Sequence, residues 1–275
     1  MTLSIRELGA SILTEVVRHR LKTKKCRMLF IVGHMRSGSS LLVHILAAND
    51  QIIGYGETHR QYSDSTDMAL LARRIYRKCG RRWPRHKYVL DKILHSRYHL
   101  TPELVQSMDA RVILLIRRPE ETLPSIRDLD LPEIQGDDDA LRYYVDRLAD
   151  IARFARTLGP AFCTFLSYDE LLERTGSVLQ RLSTFLELRQ PLDENYKPLW
   201  STGKLYIGDP SETIKAGTIV RARRSHRHTV SESVVSQGRA AYVRCQEDCS
   251  MLLNPAAPRA GSEKIRPHHQ GAALL

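Results

Sequence analysis

The segment FIVGHMRSGSSLLVHIL, Phe30 to Leu46, decides the fold. Met28 to Val32 is a short apolar run that breaks at Gly33, as a buried parallel strand does. Beyond the break, Leu41, Leu42, Ile45 and Leu46 recur at helical spacing up to Asn49. Gly33 and Gly38 permit a tight turn between the two. Loop amides and a helix N-terminus then converge on one point, which suits an anion. The spacing from Gly33 to Gly38 is that of the nucleotide loop GxxxxGK[ST]. The lysine position, however, holds Ser39, Ser40 follows it, and the cation of the loop is Arg36.

Further strands are expected at Tyr88 to Leu90, Val112 to Ile116 and Phe162 to Leu166. A long helix with apolar positions Leu141, Val145, Leu148, Ile151, Ala155 and Leu158 ends at Gly159-Pro160. Alternating strands and helices predict an α/β fold, a P-loop-like parallel sheet with helices on both faces. Asp128 to Asp139 reads as an acidic surface loop. Residues 1–25 carry an amphipathic helix, and residues 1–253 read as a single domain. The end, 254–275, rich in Ala, Pro, Gly and His, reads as a mobile tail.

The 275 residues carry a formal net charge of +11, which favours anionic partners: nucleotides, sulfated sugars, nucleic acid or a membrane surface. Apolar runs such as Val112 to Ile116 are far too short to span a membrane, and Glu7 and Glu15 argue against a mitochondrial leader. Five scattered cysteines suggest free thiols in a reducing compartment, hence a cytoplasmic location. Cys245 and Cys249, with His226 and His228 nearby in sequence, have a loose zinc-type spacing without a paired CxxC; no metal is expected.

The strand RVILLI ends in Arg117 and Arg118, where an ATPase strand often ends in a magnesium-holding acid. Asp91, at the end of a neighbouring strand, is the residue that could hold a cation near Ser40. A loop without lysine and an arginine after the strand together suggest a nucleotide with a phosphate elsewhere on its ribose.

RSGSS resembles the 5′-phosphosulfate loop of carbohydrate sulfotransferases and, more loosely, that of tyrosylprotein sulfotransferases. VILLIRRPEETLPS resembles the family's 3′-phosphate segment, with Arg117, Pro119 and Ser125 at the family's spacing. FLSYDELLERTGSVLQRLSTFLEL resembles its later strand-turn-helix, with the Tyr-acid-acid-Leu signature at Tyr168 to Leu171. The resemblance covers about residues 28 to 188. It implies 3′-phosphoadenosine-5′-phosphosulfate (PAPS) as co-substrate and no metal. By the same resemblance Arg36, Ser37, Gly38, Ser39 and Ser40 hold the 5′-phosphosulfate, and Arg117 and Ser125 the 3′-phosphate. A lid over residues 202–228 would bring Arg221 or Arg223 to that phosphate. Pro124 beside Ser125 removes a helical donor and should kink a helix there.

The acceptor hydroxyl must lose a proton as it attacks sulfur. Glu57, in GYGETHR, matches the base of the Arg-loop sulfotransferases in location. His95 is the second candidate, displaced by one residue from the Lys-Thr-His of the small-molecule enzymes. Lys92 matches that lysine and would contact the transferring group. The acceptor stays open between a carbohydrate and another small hydroxyl, with loops near Glu57 to Cys79 expected to form its pocket. Two other readings differ in class. One is a P-loop kinase, which needs magnesium and lacks its lysine here. The other is a nucleic-acid-binding module using Arg73 to Arg85 and Arg221 to His228, which, apart from Trp83 and Tyr76, lacks the interleaved aromatics of a single-strand binder.

Overall fold

The structure is a computed structural model that describes residues 5–81, 83–203, 212–221 and 225–253. The tail expected at 254–275, and Arg223, lie outside the described residues. Among those described, β1 (Arg27–Gly33), β2 (Ile52–Ile53), β3 (Tyr88–Ile93), β4 (Arg111–Ile116) and β5 (Cys163–Ser167) form one parallel sheet in the order β2-β3-β1-β4-β5. Helices α1 (Ile5–Lys22), α3 (Ser65–Lys78), α4 (Pro102–Ser107), α5 (Pro119–Arg127), α6 (Asp137–Leu158) and α10 (Glu232–Leu253) cover one face. Helices α2 (Ser39–Ala48), α7 (Tyr168–Glu173), α8 (Thr175–Phe185) and α9 (Glu212–Lys215) cover the other.

The strands are buried on both faces, so each splits its apolar residues between two cores. Met28, Phe30 and Val32 of β1 face α3 and α6, while Leu29 and Ile31 face α2 and α8. The central β1 is flanked by β3 and β4, with its outgoing loop between their carboxyl ends. That is the switch point where open α/β sheets hold ligands.

One local expectation is corrected, and one element is new. Asp137 to Asp139 are not loop but the first turn of α6, where three carboxylates face the positive end of the helix dipole. Helix α10 was not anticipated. Its core stripe of Val234, Gly238, Ala241, Cys245 and Cys249 is small rather than conspicuously apolar, because it packs closely. A Cβ on Gly238 would stand 2.9 Å from Pro119 Cβ.

Candidate active site

The loop between β1 and α2 is shaped by backbone requirements. A side chain at Gly33 would meet Leu115 O at 2.7 Å, so glycine lets β4 approach. Gly38 caps α2 at φ 88, in the left-handed region, and a Cβ there would lie 2.1 Å from the Tyr168 ring. Arg36 also has positive φ, at 63, which is strained for a residue with a Cβ. Helix α2 begins with no side-chain cap and no acid in its first turn, leaving its amide donors and positive dipole end facing the loop. The Ser37 hydroxyl is buried and makes no hydrogen bond among the described residues.

The two motifs, distant in sequence, meet here. Arg36 Nε donates to Ser125 Oγ at 2.7 Å. Pro124 sits inside α5 without ending it, and Ser125 is 2% exposed. Arg117 donates to Arg36 O at 3.4 Å and to Glu121 Oε2 at 3.2 Å. Its guanidinium lies 4.5 Å from the centre of the Tyr168 ring, the ring that also closes on Gly38. Tyr168 thus links the loop after β1 to Arg117, and Arg118 pairs with Asp169 at 2.8 Å.

Three residues that went unnoticed in the sequence brace the loop. His34 is fully buried; its Nε2 accepts the Arg117 amide at 3.0 Å, so Nδ1 carries the proton and donates to Met35 O at 2.8 Å. Tyr143 accepts the Met35 amide at 2.7 Å and donates to Leu94 O at 2.8 Å. Arg147 donates to Gly33 O at 2.7 Å and Ile93 O at 2.9 Å, closing the carboxyl ends of β1 and β3. The available signal was an arginine set inside the apolar stripe of α6.

Burial holds the His34 imidazole down to about 3, with Arg147 and Arg117 adding repulsion, and burial also lowers His86 and His95 to about 4 each. A folded-state value below the unfolded 6.5 means the unfolded chain takes protons that the native chain refuses as pH falls below 6.5. Stability is therefore lost between about 6.5 and 3 from this group. Asp91, raised to about 6 by burial, works in the opposite direction over its own range. Comparing His34→Gln with the parent by melting temperature between neutral and mildly acid pH should show a shallower fall in the variant. A parallel fall in both proteins would contradict the neutral brace.

Glu57 is placed by its neighbours. Gly54 passes against β3, where a Cβ would touch Leu90 O at 2.7 Å, and Thr58 is tied to Asp91 through its amide at 3.0 Å and its hydroxyl at 2.7 Å. Between these anchors Glu57 is 6% exposed, with Oε1 accepting no hydrogen bond among the described residues and His59 Nδ1 at 3.5 Å. Burial raises its carboxyl above the usual range, against the pull of Lys92, His59, the Leu94 amide and Arg97. Lys92 Nζ donates to Ser40 Oγ at 3.3 Å and so stands between Glu57 and the loop. His95 is half-buried, its ring beside Tyr98 and Tyr143.

Asp91 is not near Ser40. Neighbouring residues of a strand face opposite ways, and it is Lys92 that turns toward α2. Asp91 accepts from Thr58 and Tyr62 on the other face. The zinc-type spacing is likewise not assembled. Cys245 and Cys249 lie 4.0 Å apart in the core, while His226 and His228 each bond Asp128 at 3.0 Å. Of the expected lid, Thr202 bonds His44 of α2 at 2.7 Å, and residues 204–211 and 222–224 lie outside the described residues. Arg221 bonds Leu172 O, Thr175 and Glu194 rather than the Arg36–Ser125 pair. A cavity of about 510 Å³ lies beside the site, between residues 96–103 and α6, not in the Glu57 to Cys79 loops; Tyr98, His99, Arg147 and Phe154 line it.

No family model and no curated protein matches the chain. Solved structures do. A sulfotransferase domain from the curacin biosynthetic pathway is 17% identical, over 83% of this chain and 99% of that one, with a TM-score of 0.47. A mouse sulfotransferase complexed with PAP is 12% identical over 86% and 90%, with a TM-score of 0.46. The sulfotransferase domain of a Synechococcus olefin synthase is 17% identical over 78% and 94%, with a TM-score of 0.49. At such distance a neighbour's ligand or substrate says nothing of this chain's.

Proposed function

We propose that this protein is a PAPS-dependent sulfotransferase that transfers a sulfuryl group to a hydroxyl of a carbohydrate or other small acceptor. The observation that carries the reading is the Arg36–Ser125 hydrogen bond, which joins a lysine-less anion loop to the segment after β4. Two anion-binding elements at one strand-end crevice fit a nucleotide phosphorylated at both its 5′ and 3′ positions. Ser37, Gly38, Ser39 and Ser40 would cradle the 5′-phosphosulfate, and Arg117 and Ser125 the 3′-phosphate. In this reading Glu121 hands Arg117 to the nucleotide.

The chemistry follows from positions. An in-line attack on sulfur leaves charge on the bridging oxygen, where the α2 amides, Arg36 and Lys92 stabilise it. Glu57, buried and short of hydrogen bonds, takes the acceptor proton. His95, lowered to about 4 by burial, is the weaker base of the two and serves as a flank. The acceptor is assigned to the cavity bounded by Tyr98, whose ring lies 5.8 Å from His59 and so one side chain from Glu57.

The test is a calorimetric titration with 3′-phosphoadenosine-5′-phosphate (PAP) and with adenosine 5′-phosphate, each in excess chelator and in magnesium. Two charge-assisted contacts at about 1.5–3 kcal/mol each imply at least a tenfold preference for PAP, unchanged by chelator. Equal affinities would remove the reading of Arg117. A preference that needs magnesium would favour the kinase reading.

A further inference from the structure

The strongest cluster of charge that the proposed chemistry leaves unused lies at the opposite edge of the sheet. Helices α1 and α3 pack together and both run toward the amino ends of the strands they precede. Their last turns are basic, with Lys22 in one and Arg77 and Lys78 in the other. The connections into β1 and β3 add Lys25, Arg81 and Arg85, and all six of these side chains are exposed. None of the six forms an ion pair with a carboxylate among the described residues, whereas neighbouring Lys24 and Lys87 are paired with Asp109 and Glu187. Arg20 fastens the two connections to each other, donating to Lys25 O at 2.9 Å and His86 O at 3.3 Å.

Trp83 stands in the middle of the second connection and is 65% exposed. Cations on a last helical turn offset the helix dipole, which accounts for Lys22, Arg77 and Lys78. It does not account for Lys25, Arg81 and Arg85, which lie outside helices, or for a tryptophan held in water. A basic edge that carries one exposed indole matches an anionic lipid surface. There the cations meet phosphate and carboxylate headgroups, and the indole sits at the boundary between headgroups and acyl chains. A duplex nucleic acid would use the cations and leave Trp83 in water. A single strand would need a row of stacking rings, but Tyr76 and Tyr88 at this edge are buried.

We infer that this basic edge docks the protein on an anionic membrane surface. Strand β1 has seven residues, so docking holds the candidate active site roughly 20 Å from the lipid, on the far edge of the sheet and turned toward solvent.

The experiment is co-sedimentation with vesicles of phosphatidylcholine alone or mixed with phosphatidylserine, at physiological ionic strength, with tryptophan emission recorded. The protein should partition onto the phosphatidylserine vesicles, stay off phosphatidylcholine, and shift its emission to the blue. The double variant Arg81→Ser, Arg85→Ser should partition roughly thirtyfold more weakly. Trp83→Ser should lose the emission shift, and both variants should bind PAP as the parent does, showing that they are folded. Failure to partition, partitioning unchanged in the arginine variant, or tighter binding to duplex DNA without an emission shift would overturn the inference.

Discussion

Glu57→Gln is expected to leave PAP affinity nearly unchanged while lowering kcat by a hundredfold or more, the usual worth of a positioned base. The exchange keeps shape and removes basicity. The carboxyl is 6% exposed, has one oxygen without a hydrogen bond, and is raised by burial. A carboxylate with spare accepting capacity in a dry setting is a stronger base than one in water. The acid limb of the kcat profile should therefore lie above the ordinary carboxylate range in the parent and vanish in the variant. The measurement is steady-state turnover with PAPS and a hydroxyl acceptor across pH. Full activity in Glu57→Gln together with a dead His95→Ala would transfer the role to His95.

Gly38→Ala should weaken PAP binding by about two orders of magnitude. A left-handed backbone at φ 88 costs an alanine roughly 1–2 kcal/mol. The larger effect is steric, since the new methyl would sit 2.1 Å from a ring carbon of Tyr168. That ring cannot move alone, because the Arg117 guanidinium rests on it at 4.5 Å. The clash therefore passes from the loop after β1 to Arg117, which the proposed function assigns to the 3′-phosphate. Tyr168→Ala makes room for the methyl but removes the ring beneath Arg117. The double variant Gly38→Ala, Tyr168→Ala should lose less affinity than the two single losses combined, the signature of contacting residues. Strict additivity in calorimetric titrations would show that the ring does not couple the two sites.

The strands at Met28, Tyr88, Val112 and Phe162 and the helix through Leu148 were legible because periodicity is local. The glycine turn was legible for the same reason: its spacing and missing lysine are properties of eight neighbouring residues, Gly33 to Ser40. Helix α10 was not, because its buried stripe of small residues and cysteines carries little hydropathy signal and becomes a core only against Pro119, Leu123 and α6. Asp91 was misplaced for want of a simple rule, that adjacent strand residues face opposite ways; only Lys92 can reach Ser40.

What the sequence by itself determined is the parallel α/β class, four of the five strands, and the strand–glycine turn–helix unit from Met28 to Asn49, since each depends on residues within a turn or two of one another. What only the tertiary structure decided is which distant groups converge. Arg36 meets Ser125 across 89 positions, His34 holds the Arg117 amide across 83, and Arg147 closes on Gly33 across 114. These contacts exist because the parallel crossovers bring the carboxyl ends of β1, β3 and β4 side by side and lay α6 over them. No local pattern records a hydrogen bond whose two ends are joined only after the sheet has formed.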